Sequence, residues 1–313
     1  MPQPTSTDVH VDGPLTNLSV GFKNDMNHFV ADKVFPTVSV AKQTDKYFTY
    51  TQADFFRTDA QLRAPGTESA GSGYNLSTST YSCDVLALHK DIADQTRANA
   101  DAPLDMNRDA VEFLTQHMML KREIDFADKF LKSGVWSHDK DGNWTGSNSA
   151  IDEIHDGQDY VEARTGYRPN ILVLGAAAFT ELKNNSDVLD CIKYTQTGVV
   201  TEQLLASLLG LDKVLVSRAI KNSNGEGATA SYGRVMTSAE ALLVYAPSTP
   251  SLMHPSAGYT FSWTGYSGAQ SGQRVSRFRM DHLRADRIEM EMTYDQKLIS
   301  NSLGYYFTSV NAS

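Results

Sequence analysis

The sequence predicts an α+β chain, and three observations carry that reading. Two strand-like runs flank the stretch "RAPGTESAGSGYN" at residues 63–75, as in a long hairpin with a loose, glycine-rich tip. An amphipathic pattern of helical period runs unbroken over residues 105–132. Beyond it, helical and apolar strand-like segments alternate before the chain closes on strand-rich text.

Residues 1 to about 20 are rich in Pro, Ser, Thr and Asp and read as an extended arm with no core of its own. In residues 21–36, Phe22, Met26, Phe29, Val30 and Val34 recur at roughly helical spacing, so a short helix or turn is expected before Pro36. Residues 37–50 favour strand through Val38, Val40 and the aromatics at 47–50. Residues 74–92 form a second strand, whose polar and small side chains at 78–83 give it no strongly apolar face. Such a ribbon is marginal alone in water. Either it is a loose surface loop, or something outside the subunit completes it.

Pro103 stops the next segment, and Asp105 is a good N-cap for the helix that follows. Ala110, Phe113, Leu114, His117, Leu120, Ile124, Ala127 and Leu131 make its expected apolar stripe, and Gly134 lies just past its end. At ~1.5 Å per residue this helix is roughly 40 Å long, which suits an elongated subunit. Residues 137–149 are turn-rich. A helix is expected over 150–165, stopped by Gly166, then a strand at 170–175 and a helix at 176–183. Thr201 caps a helix with leucines at 204, 205, 208 and 209 and Gly210 beyond it. Strands follow at 213–217 and 241–247, and residues 274–310 are strand-rich. Ile288, Met290, Met292 and Tyr294 alternate with charged residues, as in a half-buried strand. No internal repeat is evident.

A single unit of 313 residues buries roughly 75% of its unfolded surface. With 41% hydrophobic and 21% charged residues, the composition is that of an ordinary globular chain. The net charge of -9 lacks the basic footprint of a protein that grips nucleic-acid phosphates. Cys83 and Cys191 make no disulfide framework, so a reducing compartment is expected. The polar N-terminus has neither the basic nor the apolar region of a signal peptide. No run approaches the ~18 apolar residues of a membrane span.

No catalytic constellation stands out, and no cofactor or metal is expected. Asp139, Asp141 and Asn143 resemble the start of a calcium loop, but Trp144 and Ala150 occupy the places of its Gly and bidentate Glu. A hairpin turn is expected there instead. His117 sits on the helical stripe and reads as a packed residue. His138 and His155 flank acidic residues without any zinc-binding spacing. Nucleophile-elbow, Walker and dinucleotide motifs are absent. Asp152 and Glu153 fall in the first turn of a helix, where the dipole favours them.

Several stretches, in order, say more than any motif: "VADKVFPTVSV", "DKYFTY", "RAPGTESA" with "GYNLS", "NADAPLD", "TGYRPNILVLG", "VVTEQLLASLLGLDKVLV" and "GYTFSW". Together they resemble the major capsid proteins of tailed bacteriophages, over nearly the whole chain. The resemblance implies an N-terminal arm (1–36) and an E-loop hairpin (37–92) that reaches over neighbouring subunits. It implies a peripheral domain (93–166) with a spine helix at 105–132, completed by strands at 256–297. An axial domain (167–255, closed by 298–313) would meet its copies at five-fold and six-fold axes. The glycines at 66, 71 and 73 would let the loop tip adapt to hexamer and pentamer.

The implied function is self-assembly of hexamers and pentamers into an icosahedral shell around double-stranded DNA, without sequence-specific binding. The shell would be assembled in the host cytoplasm and form part of the virion. Implied partners are a separate scaffolding protein, a portal protein and a decoration protein; the short arm after Met1 leaves no room for a fused scaffold. Lys-Asn cross-linking, known in the family, is not expected, because Lys42 and Lys46 lie toward the hairpin base and no lysine falls between 57 and 74. Candidate inter-subunit contacts are Arg63, Glu68 and Tyr74 at the tip, and Phe22 and Phe29, with Phe35, along the arm. Against these stand solvated charges at 63 and 68 and an intrasubunit core for the phenylalanines. At the level of the whole protein, the alternatives are an encapsulin-type nanocompartment and an enzyme with an unusual site.

Overall fold

The computed structural model describes residues 23–100, 104–146, 149–193, 200–251, 254–267 and 272–311. Two sheets and one long helix organise them. The helix, Met106–Phe130, starts where the Asp105 carboxylate accepts hydrogen bonds from the N–H groups of Asn107 and Arg108, at 3.0 and 3.2 Å. Those bonds satisfy two donors that a bare helix start leaves open. The buried stripe is rotated from the expected one. It follows the i, i+4 row Ala110, Leu114, Met118, Arg122, Phe126 and Phe130, with Met119 and Glu123 beside it. Phe113 is exposed, and its ring stands 4.3 Å from that of His117. Hydrophobicity alone misplaced the stripe because two of its members are charged.

The first sheet is built around the long strand Ala285–Leu298. Asp84–Ala93 runs antiparallel along one edge. Gln273–Met280 and then Gly258–Trp263 lie end to end along the other, both antiparallel. Thr37–Val40 adds a parallel strand beyond Gly258–Trp263. As the alternation predicts, Ile288, Met290, Met292 and Tyr294 share one face, packed with Ala110, Leu114, Met118 and Met119 of the helix.

The second sheet has the strand order Asp139–Asp141, Gly304–Ser309, Ala241–Val244, Ile171–Gly175, Lys213–Ser217. Every residue of Ile171–Gly175 and Ala241–Val244 is buried, as the continuous apolar text requires of strands covered on both faces. Leu172, Leu174, Leu243, Tyr305 and Phe307 face a layer of helices that includes Ala150–Thr165, Ala176–Asn184 and Glu202–Leu208. Ile171, Val173, Leu242, Val244 and Tyr306 face the other way, toward Phe35, Trp136 and the last turns of the long helix at Phe126 and Phe130. The helix therefore belongs to both cores, its first half on one sheet and its end on the other.

Three expectations are corrected. Residues 139–141 form no hairpin turn; they run parallel to Gly304–Ser309, a partner too distant in sequence for local reading to see. Helix Ala150–Thr165 packs in the core of the second sheet, through Ile154 and Val161, and not with the first. The runs 37–50 and 74–92 each split in two. Thr37–Val40 and Asp84–Ala93 stay in the first sheet, while Thr44–Tyr50 and Leu76–Ser82 leave it as a two-stranded ribbon. The split lies where Cys83 N–H donates to Gln43 O at 2.9 Å.

Gly304 opens the last strand against Trp136, and an added Cβ would overlap the indole ring. That ring cannot yield easily, since its Nε1–H donates to Phe130 O at 2.7 Å. Gly304→Ala is expected to lower stability by about 2–3 kcal/mol, read as a lower denaturant midpoint with an unchanged slope.

Candidate functional site

The ribbon is two-sided. Phe48 pairs with Thr78, and Tyr50 with Leu76. Cross-strand partners share a face, so Phe48, Tyr50 and Leu76 stand together. Phe48 is 66% exposed and Leu76 49%. At the tip, the short helix Gln52–Phe55 returns Phe55 to this face. Tyr50, Phe55 and Tyr74 form a triangle of rings with centroids 5.8, 5.8 and 6.1 Å apart. Tyr74 is 64% exposed. The opposite face carries Tyr47 and Tyr81, which root the ribbon in the subunit. The Tyr81 ring stacks on Phe261 at 4.6 Å, and Tyr47 lies 5.5 Å from it. Cys83 is buried in the same cluster, and burial pushes its thiol up to about 11, so it is inert near neutral pH.

Beyond that root, polar contacts hold the tip. Asp54 accepts from Asn75 N–H at 2.8 Å and pairs with Arg57. Asp59 accepts from Ser72 Oγ at 2.6 Å and from Arg57 Nε at 2.9 Å. The Ser72 bond first, then Arg57, holds the Asp59 carboxyl below its usual range. Pro65-Gly66 makes a tight turn closed by Thr67 N–H to Ala64 O at 3.2 Å, with Gly66 at φ 80°. That positive φ is the type II geometry that requires glycine. The ribbon thus holds a defined shape while presenting an apolar face that stands exposed among the described residues.

No family model matches the chain. In sequence it is similar to the major capsid protein of Burkholderia phage BcepMu, at 24% identity over 96% of this chain and 97% of the relative. It is also similar to the major capsid protein of Pseudomonas phage JBD67, at 23% identity over 97% and 98%. Among solved structures it resembles the capsid of cyanophage P-SCSP1u with TM-score 0.66 and 10% identity, over 98% of this chain and 94% of that one. The chain has the fold of the tailed-phage major capsid proteins. An encapsulin complex from Synechococcus elongatus shows a weaker likeness, TM-score 0.58 at 9% identity over 95% and 94%.

The capsid fold puts the sequence-derived contact residues in different settings. Tyr74 joins the exposed aromatic face. Arg63 is exposed but folded back, its Nε donating to Thr67 O. Glu68 is exposed. No hydrogen bond or ion pair joins either charge to Tyr74 among the described residues. Phe29 is corrected: at 1% exposure it lies in the chain's own core with Leu114 and Met118, so no surface is left for a neighbour. Phe35 is likewise internal, its ring 4.9 Å from Phe130. Phe22 lies outside the described residues. Phe48, Phe55 and Leu76 were missed. The alternation Lys46-Phe48-Tyr50 was the available signal, masked by the polar text of the opposing strand.

At the far end of the first sheet, Asp286 pairs with Arg97 at 2.6 Å, Arg277 at 2.5 Å and Arg279 at 3.3 Å. Arg279 also pairs with Asp94, and Arg287 with Asp91 through bonds of 2.7 and 2.8 Å. The Arg277 bond, then that of Arg97, holds the Asp286 carboxyl far below the carboxylate range. A lowered folded-state value means stability that is present above the unfolded value and lost as pH falls through the folded one. Asp286→Asn is therefore expected to flatten the acid limb of the stability curve below about pH 4. Denaturant midpoints of both proteins across the acid range check it; parallel curves would contradict it.

Among the described residues, no group of three or more His, Cys, Asp or Glu is placed to hold a metal ion. No helix among them is long and apolar enough to cross a membrane.

Proposed function

We propose that the chain is the major capsid protein of a tailed bacteriophage. It assembles as hexamers and pentamers into an icosahedral shell that encloses double-stranded DNA without reading its sequence. The observation that carries this reading is the ribbon, a shaped, rooted hairpin with an exposed apolar face; in this reading a second copy of the chain covers it. Similarity to capsid proteins along nearly the full length supports it. Shell contacts of this kind draw their energy from apolar burial over large interfaces. The acidic chain suits a wall that lies beside packed DNA without adhering to it.

In this reading the first sheet and the long helix form the peripheral domain, and the second sheet with its helices, from Asp139 on, forms the axial domain. The ribbon is the E-loop. The role is structural and not catalytic. A separate scaffolding protein, a portal protein and a decoration protein are its partners, with assembly in the host cytoplasm.

Electron microscopy of the purified chain, alone and with scaffold, tests the proposal. Closed shells of uniform size are expected. Packaged nucleic acid in particles from the native source separates a virion from a nanocompartment of encapsulin type. Small oligomers that stay small under every condition would overturn the shell reading.

A further inference from the structure

The half of the long helix that follows Met119 covers a polar strip of the first sheet. Thr260 and Gln296 are register partners across strands Gly258–Trp263 and Ala285–Leu298, so their Cβ atoms stand roughly 5 Å apart on one face. Ser262 follows two residues along, opposite Tyr294, with its Oγ beside Gly272 at the far edge of this strip. The Tyr294 hydroxyl donates to Asp125 of the helix at 2.8 Å, which identifies this face as the one the helix covers. Thr260, Ser262 and Gln296 are 1%, 1% and 2% exposed. Yet Thr260 Oγ1, Ser262 Oγ and both the Nε2 and Oε1 of Gln296 have no hydrogen-bond partner among the described residues.

Buried polar groups are almost always satisfied. Three open atoms on the register partners Thr260 and Gln296 call for a ligand. We infer that the patch is a built hydration site, holding a small cluster of ordered water between helix and sheet. The chemistry selects water. The Gln296 amide offers donors and an acceptor, and each hydroxyl can act as either. A cation would satisfy the oxygens and leave the amide N–H groups facing positive charge. An anion would do the reverse. Water answers both kinds of group, and several polar partners suffice to fix it. Arg122 extends the strip: its guanidinium is buried 5.8 Å from the Tyr294 ring, and its Nε has no hydrogen-bond partner among the described residues. The first half of the helix packs its Leu114 and Met118 on Met290 and Met292, a largely apolar contact. One helix thus meets the first sheet dry at its start and wet beyond Met119.

This inference stands apart from the shell reading, and a high-resolution structure of the full chain, free or assembled, tests it. Density is expected within hydrogen-bond distance of both Thr260 Oγ1 and the Gln296 amide. A Gln296 side chain bonded directly to Thr260 or Ser262, with no density between, overturns it. A double-mutant cycle in unfolding midpoints gives a second reading. Thr260→Val or Gln296→Leu alone strands the remaining wall and its water. The double variant empties the site and is expected to unfold at a higher midpoint than the two single losses add up to. Strict additivity overturns the shared site. Should Gln296→Leu fail to fold, the Thr260→Val and Gln296→Met pair is read the same way.

Discussion

Glu123→Ala is expected to destabilise the chain by about 3–5 kcal/mol, while Glu123→Gln stays within about 1 kcal/mol of the parent. Glu123 is 2% exposed and ties three distant segments together. Its Oε2 accepts from the N–H groups of Val30 and Ala31, at 2.9 and 2.8 Å, at the start of the short helix Ala31–Val34. Its Oε1 accepts from Ser217 Oγ at 3.1 Å, at the end of a second-sheet strand. Alanine leaves all three donors buried and unpaired. Glutamine keeps an oxygen for the two N–H groups, and Ser217 can turn to accept from the new amide. Burial pushes the Glu123 carboxyl up, against the pull of its hydrogen bonds. A raised acid binds more protons folded than unfolded, so its contribution is fully present below the unfolded value and declines as pH rises through the folded one. Glutamine does not titrate. The parent should therefore lose ground to the glutamine variant as pH rises from about 4 toward neutrality. Denaturant midpoints of the three proteins across that range decide it. An alanine variant as stable as the parent would mean that Glu123 is no junction.

That junction marks where the sequence stopped being legible. Local signals were reliable: the Asp105 and Thr201 caps and the Gly166 stop stand where the text put them. The period-two run at 288–294 and the uninterrupted apolar strands also announced their burial. What failed was long-range. Glu123 and Arg122 fall outside the expected stripe because their partners, Val30, Ser217 and Tyr294, are remote in sequence. Residues 139–141 looked like a turn because their strand partner arrives at the end of the chain. Phe29 was placed at an interface because nothing local shows that Leu114 and Met118 enclose it. For the ribbon, the loose tip was visible but its sidedness was not. A face assembled from two strands appears only once the register is known, and here it puts Phe48 and Tyr50 beside Leu76.

Replacing Phe48, Tyr50 and Tyr74 together with serine is expected to abolish shell assembly while leaving the subunit folded. All three rings are exposed, Tyr50 the least, and their losses from the free subunit are those of surface positions, within about 0.5 kcal/mol each, plus about 0.5–1 kcal/mol for each of the three ring contacts among Tyr50, Phe55 and Tyr74. Buried against a neighbour, each ring contributes about 2–3 kcal/mol at ~25 cal/mol per Å². A shell repeats the contact in every subunit, so the loss multiplies with the assembly. Arg63 and Glu68 provide the contrast. Both are exposed, and exposed charge pairs contribute about 0–1 kcal/mol and weaken with salt. Arg63→Ala with Glu68→Ala is therefore expected to leave shells intact, or to shift assembly only at low ionic strength. Light scattering and sedimentation of the two variant sets, beside an unfolding curve for each, separate the cases. Normal shells from the serine variant would show that the apolar face is not the contact. Failure of the charge variant alone would hand that role to the tip charges. The physical ground for expecting the first pattern is that a hairpin with one uncovered apolar side gains little by folding alone and much by being covered.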